Sequence, residues 1–115
     1  MYYKKELGNA GEERACKYLE EKKYKIIERN FSCKLGEINI IARDKRELVF
    51  VEVKTRTNTE YGLPSEAVTK GKIKHLLNTI SYYLYIKKIE NKNIRIDVIE
   101  IYKSENKINH LKQII

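Results

Sequence analysis

The sequence holds only two cysteines, one proline and no apolar run near the roughly 20 residues that a membrane-spanning helix needs. Cys16 and Cys33 have neither CxxC spacing nor a histidine pair beside them. That argues against a zinc site and leaves two reduced thiols, Cys16 as a small core residue and Cys33 in or near a turn. The basic residues near the start, Lys4 and Lys5, are followed by no apolar block, so no secretory leader is expected and the expected compartment is the cytoplasm. Acidic residues are in deficit. Asp and Glu number 16 against 24 Lys and Arg, a net charge of +8 with a pI near 9.4, which points towards a polyanionic partner. Abundant Lys, Asn, Ile and Tyr also fit the codon bias of an AT-rich genome, so charge alone does not decide the matter. A hydrophobic share of 42% argues against disorder, and a charged share of 35% argues against a membrane protein. At 115 residues the chain suits a single domain spanning residues 1–115.

The stretch from Lys4 to Lys22 reads as an amphipathic helix, with Leu7, Ala10, Ala15, Tyr18 and Leu19 on one face and Cys16 at its edge. Gly8 and Gly11 weaken it and allow a close approach, with Glu12 and Glu13 beside them. Glu12 is the candidate to look into a site, and Glu13 belongs to a solvated face. Tyr24 to Phe31 predicts a first strand, a second opens at Gly36, and a third begins at Leu48 after the charged loop Arg43–Glu47. Short connections make these an antiparallel meander. Residues 55 to 64 form the longest loop, which contains the proline, and Ser65 is a fitting N-cap for a helix reaching about Lys87. Its apolar stripe is Val68, Ile73, Leu76, Leu77, Ile80, Tyr83 and Leu84. Ile94 to Tyr102 predicts a fourth strand, and the tail offers an edge strand or a helical turn. The order α-β-β-β-α-β describes an α/β domain, a mixed sheet flanked by helices.

The chemistry concentrates on Val49-Phe50-Val51-Glu52-Val53-Lys54. Side chains alternate along a strand, so Glu52 and Lys54 point the same way, about 7 Å apart along the backbone, and the valines point the other way. Such an apolar strand belongs mid-sheet, where charges are costly unless partnered or used. Gly36 to Ala42 has the same design, with Glu37 and Asn39 expected on one face and Ile38 and Ile40 on the other. Glu12, Glu37, Asn39, Glu52 and Lys54 are thus expected to line one concave patch. Hard oxygen donors beside a lysine suit a divalent metal, Mg²⁺ or Mn²⁺, handling phosphate. Arg56, Lys70, Lys72 and Lys74 could contact phosphates, and Tyr61 could stack on a base. Solvated charges and a loop aromatic explain them equally well. His75 and His110 read as structural or surface residues without partners. Asp97 could buttress Lys54 or a backbone turn.

Gly11-Glu12, Arg29-Asn30, Gly36-Glu37-Ile38-x-Ile40-Ile41-Ala42, Phe50-Val51-Glu52-Val53-Lys54-Thr55-Arg56 and Lys70-x-Lys72 together resemble the YraN-like family. This is uncharacterised protein family 0102, within the PD-(D/E)xK restriction-endonuclease-like superfamily and similar to archaeal Holliday-junction resolvases. The resemblance implies a restriction-endonuclease-like core and a nuclease-like activity on DNA, branched or structured. By position it makes Glu52 a metal ligand, Lys54 the catalytic lysine and Glu12 the helix acid that completes the site. The superfamily's metal-binding Asp should fall within Gly-Glu-Ile-Asp, where this chain has Asn39. Asn39 and Glu37 are then the substitute ligands, and an amide lacks the charge that makes a carboxylate preferred. Related resolvases work as dimers, so a homodimer is one expectation.

Three functions are compatible with these residues: a Mg²⁺- or Mn²⁺-dependent endonuclease, a nucleic-acid-binding module of the same fold with catalysis weakened at Asn39, and a structural domain in which Glu52 and Lys54 are an internal ion pair.

Overall fold

The computed structural model describes residues 2–56 and 70–114, with side chains from Ala10 onward. Helix α1 spans Tyr2–Glu21, followed by strands β1 (Lys25–Cys33), β2 (Gly36–Asp44) and β3 (Glu47–Arg56). Helix α2 then covers Lys70–Ile86, and β4 (Ile94–Tyr102) and β5 (Lys107–Leu111) close the chain. Ser65, Tyr61 and Val68 lie outside the described residues.

The five strands lie in sequence order, β1-β2-β3-β4-β5. β1, β2 and β3 form the antiparallel meander, β4 runs parallel to β3, and β5 returns antiparallel to β4. The sheet is therefore mixed, as the element order implied, and the tail resolves into an edge strand. Lys45 takes a left-handed φ of 57° at the β2–β3 turn, so the loop expected over Arg43–Glu47 shrinks to a tight connection.

The sheet is covered on both faces. Ala15, Cys16 and Leu19 of α1 pack on Ile40, Ala42, Val49, Val51, Ile99 and Ile101. Leu76, Ile80 and Tyr83 of α2 pack on Ile38, Ile41, Leu48, Phe50 and Ile96. β4 is buried from Arg95 to Tyr102 because it sits beneath both layers. Each large apolar side chain removed from water in these clusters contributes about 1.5–3 kcal/mol before the entropy of ordering it. Two helical stripes differ from expectation. Ala10 is exposed, Cys16 is fully in the core, and Leu77 of α2 remains 38% exposed.

Candidate functional site

β3 places Glu52 and Lys54 on the α2 side of the sheet, with Lys54 Nζ 3.4 Å from Glu52 Oε1. Both are only partly exposed, 16% and 22% at the side chain. The valines at 49, 51 and 53 face α1, as strand alternation requires. A cavity of about 310 Å³ lies between this part of the sheet and α2, lined by Glu37, Asn39, Glu52, Lys72, His75 and Thr79 among others. Gly36 opens β2 at a φ of 152°, where an added Cβ would lie 2.8 Å from Thr79 Oγ1. The strand can approach α2 this closely only without a side chain.

Asn39 breaks the alternation of β2. Ile38 belongs to the α2-side cluster and Ile40 to the α1-side cluster, so the expectation that they share a face is overturned. The β2–β3 ladder runs from Asp44 to Ile40. Beyond it the Asn39 side chain takes over, its Oδ1 accepting the Val53 N–H at 2.8 Å. Its Nδ2 donates to Glu12 Oε1 at 3.1 Å. The amide orientation follows from these partners, since an N–H needs an oxygen and a carboxylate needs a donor.

Glu12 is buried on α1, and its Oε2 has no hydrogen-bond partner. Burial pushes its carboxyl above the ordinary range; the Asn30 amide draws it down and the Glu37 charge pushes it up again. Gly11 brings α1 against Thr55 of β3, where a Cβ would collide with the Thr55 hydroxyl. Glu52 is also raised, first by burial, with Lys54 opposing and Glu37 adding to the rise.

Of the expected site residues, Glu37, Asn39, Glu52 and Lys72 line one cavity. Lys54 joins it through Glu52, and Glu12 joins through Asn39. Lys72 Nζ stands 3.7 Å from Glu52 Oε1. Lys70 and Lys74 are exposed, two positions to either side on α2 and so turned away from the face that carries Lys72. Arg56 ends β3, and its carbonyl accepts Lys103 N–H at 2.9 Å. Glu13 is exposed and pairs with Arg29 at 2.8 Å.

Two expectations are corrected. Asp97 does not buttress Lys54, because it lies on the α1 side of β4. There it accepts Arg95 Nε at 2.9 Å and Gln113 N–H at 3.0 Å, and its Oδ2 lies 2.7 Å from His110 Nε2. His110 therefore has partners, including the Tyr18 hydroxyl at 3.0 Å from Nδ1. This network ties α1, β4 and β5 together. One residue was missed. Glu100 of β4 is fully buried and stands in register with Lys54. Asn109 Nδ2 donates to its Oε1 at 3.1 Å, and its Oε2 has no partner. Its position beside Lys54 follows from the parallel β3–β4 register, which strand alternation within one segment does not reveal.

The donors suit an oxygen-seeking cation only in an open arrangement. No group of three His, Cys, Asp or Glu is gathered among the described residues. Glu37 and Glu52 share the cavity, and their mutual repulsion raises Glu52. Magnesium is commonly held by one or two carboxylates, with substrate phosphate and water completing its shell, so this pair fits such an ion. Asn39 Oδ1 is engaged by Val53, and Glu12 Oε2 lies buried behind it.

The sequence pattern of the family described as "Uncharacterised protein family UPF0102" matches residues 11–101. A UPF0102 protein of Caldicellulosiruptor saccharolyticus is 48% identical over 99 residues, covering 86% of this chain and 84% of its own. One from Clostridioides difficile is 46% identical over 107 residues, covering 93% and 94%. Another, from Clostridium botulinum strain Loch Maree, is 45% identical over 115 residues, covering 99% and 94%. The match takes in Glu12, the split at Asn39, the Glu52–Lys54 strand and α2, and the chain belongs to the YraN-like family UPF0102.

Proposed function

We propose that this protein is a DNA-binding phosphodiesterase of the restriction-endonuclease-like kind, dependent on Mg²⁺ or Mn²⁺. The observation that carries the reading is the Glu52–Lys54 pair on β3, set beside a cavity that also holds Glu37 and Lys72. Glu52 and Glu37 would hold the divalent ion, whose chemistry is to polarise a phosphoryl oxygen and lower the pKa of a bound water. Lys54 offsets the charge that develops on the phosphoryl oxygens and orients the attacking water. Lys72 and Arg56 would position the phosphate backbone, which carries no sequence information, so binding is expected to tolerate any sequence. The net charge of +8 supports an electrostatic mode, with a log–log salt slope of about 0.9 per phosphate contacted on duplex DNA.

A second reading has one observation in its favour. Asn39 Oδ1 is spent on the Val53 N–H and adds no charge to the site. A chain that binds DNA without cutting it is the reading this arrangement supports.

Branched, single-stranded and duplex DNA incubated with Mn²⁺ separate the two. Cleavage that disappears in Lys54→Ala and Glu52→Gln, with DNA affinity retained, supports the phosphodiesterase. Salt-sensitive binding without cleavage by the wild-type chain selects the binding module. Absence of affinity for every DNA at low salt overturns both.

A further inference from the structure

The Asp97 network opens onto a second cavity, of about 370 Å³, at the Asp44 end of β2 and on the α1 side of the sheet. The Glu52 cavity lies on the α2 side and reaches Gly36, the other end of β2. Tyr18, Tyr24 and His110 line the second cavity together with Lys22, Lys45 and Lys112. Lys22 Nζ lies 5.8 Å from the centre of the Tyr18 ring. Lys45 and Lys112 are exposed and have no ion pair among the described residues. The nearby carboxylates are already answered by Arg95, which meets Asp97 at 2.9 Å and both Asp44 and Glu47 at 3.1 Å. Four cations thus face three carboxylates, and the lysines present the surplus to solvent.

The hydroxyl groups add direction to this charge. His110, Arg95 and the Gln113 N–H outweigh burial and keep Asp97 ionised. An ionised oxygen 2.7 Å from His110 Nε2 requires the proton on that nitrogen. Nδ1 of the neutral ring is then an acceptor, and the Tyr18 hydroxyl 3.0 Å away donates to it. Tyr18 keeps this hydrogen, because burial and the Asp97 charge push its hydroxyl up. A proton added at Nδ1 reverses the bond. The ring then donates to the tyrosine oxygen, and the hydroxyl hydrogen is released to the cavity that Tyr18 lines. Tyr24 has a hydrogen to give already, since its oxygen accepts Arg95 Nη2 at 2.6 Å.

We propose that this cavity binds a tetrahedral oxyanion of the phosphate class, free or as a monoester, and takes up one proton at His110 as it does so. The proton comes from water and stays on Nδ1, with no bond made or broken in the anion. Lys45 and Lys112 supply charge at the mouth, and Tyr18 and Tyr24 supply donors aimed at the anion's oxygens. Asp97 balances the imidazolium from behind, at 2.7 Å. Asp44 also lines the cavity, and its bond to Arg95 keeps its charge from opposing the anion outright. Hydrogen bonds to a full negative charge are about twice as strong as neutral ones, which favours the protonated ring once an anion is present.

This site shares no residue with the Glu52 cavity, so it stands or falls apart from the proposed function. Sulfate is the probe, because it keeps one charge state across neutral pH. Calorimetry of the full chain at pH 7.5 and fixed ionic strength, in buffers of different ionisation heat, counts the protons taken up per sulfate. About one is expected, and by linkage the affinity should rise as the pH falls from 8 to 6. Tyr18→Phe should abolish the proton uptake and weaken binding about tenfold, the effect of one charge-assisted hydrogen bond. Lys45→Ala with Lys112→Ala, both at exposed positions, should weaken binding by about the same factor and leave the proton count unchanged. That pair of changes keeps the proposal testable if Tyr18→Phe fails to fold. Displacement of sulfate by inorganic phosphate and a mononucleotide with equal affinity assigns the site to the free ion, and tighter displacement by the mononucleotide assigns it to the monoester. No sulfate binding, displacement by neither, the same proton count in Tyr18→Phe, or unchanged affinity in the double lysine variant overturns the proposal.

Discussion

Asn39 on β2 and Glu12 on α1 are joined by a hydrogen bond in which the amide is the donor, Nδ2 to Oε1 at 3.1 Å. The bond links the helix to the point where the β2–β3 ladder ends, and its polarity has a consequence. Asn39→Asp would keep an oxygen for the Val53 N–H but turn a second oxygen on Glu12. Loss of the donor should cost about 1–3 kcal/mol at neutral pH without metal. A divalent cation between the two carboxylates should restore it. Thermal melts of the variant with and without Mn²⁺ check this, with a Mn²⁺-dependent rise larger than that of the wild type as the expected result.

Lys54→Ala should remove about 1 kcal/mol of stability, well below the 3–5 kcal/mol that follows when a fully buried pair is broken. Glu52 keeps Lys72 at 3.7 Å, and Lys54 is 22% exposed at the side chain, so neither end is left stranded. Urea unfolding measures the difference. A loss above 3 kcal/mol would place Lys54 in the core instead of at the cavity.

Asp97 gives a pH dependence with a definite sign. Burial pushes its carboxyl up, but His110, Arg95 and the Gln113 N–H together outweigh burial and hold it below the ordinary aspartate range. A depressed carboxyl stabilises the fold above its unfolded pKa, and that contribution fades as pH falls through the lowered folded value. Asp97→Asn should therefore cost about 1–3 kcal/mol at pH 7, where Arg95 loses its fully buried partner but keeps Asp44 and Glu47 at 3.1 Å. The gap from wild type should close as the pH drops below 4. A constant gap across pH 3–7 would rule out the charge as the origin.

Gly11→Ala should destabilise by about 1–3 kcal/mol through overpacking, because the new methyl collides with the Thr55 hydroxyl. Thr55→Ala in the same chain should recover most of that loss, and Thr55→Ser should not, since the colliding atom is the oxygen. Melting temperatures of the three chains decide it.

Much of the fold could be read from strand periodicity. The valines of β3 and the isoleucines of β4 placed both strands, and the short links around Gly36 and Lys45 specified the meander. The readings that went astray share a cause. Ile38 and Ile40 were assigned one face because alternation was taken as unbroken, whereas a side chain that replaces a ladder hydrogen bond at Asn39 shifts the pleat. Of the two roles open to Asp97, support for Lys54 fails and support for backbone holds at the Gln113 N–H, and Glu100 escapes notice, because which β4 residues face Lys54 depends on a parallel register between strands far apart in sequence. His110 looked solitary because Asp97 and Tyr18 reach it across the fold. Residues 57–69, with Tyr61 and Ser65, lie outside the described part of the structure.

The parallel junction between β3 and β4 also bears on how the chain emerges during synthesis. β1 to β3 can zip up as local hairpins, and β4 with β5 is another hairpin; such units form in microseconds. Joining them demands closure of everything between residues 56 and 94, the slow and non-local step. Until then the strand bearing Glu52 and Lys54 is a bare sheet edge, a template for pairing with another nascent chain. Glu52 and Lys54 are thus also expected to guard against misassembly, because a strand interrupted by Glu and Lys pairs poorly with copies of itself. Fragments ending before residue 94 should remain soluble with Glu52 and Lys54 in place, and should aggregate when both are changed to valine.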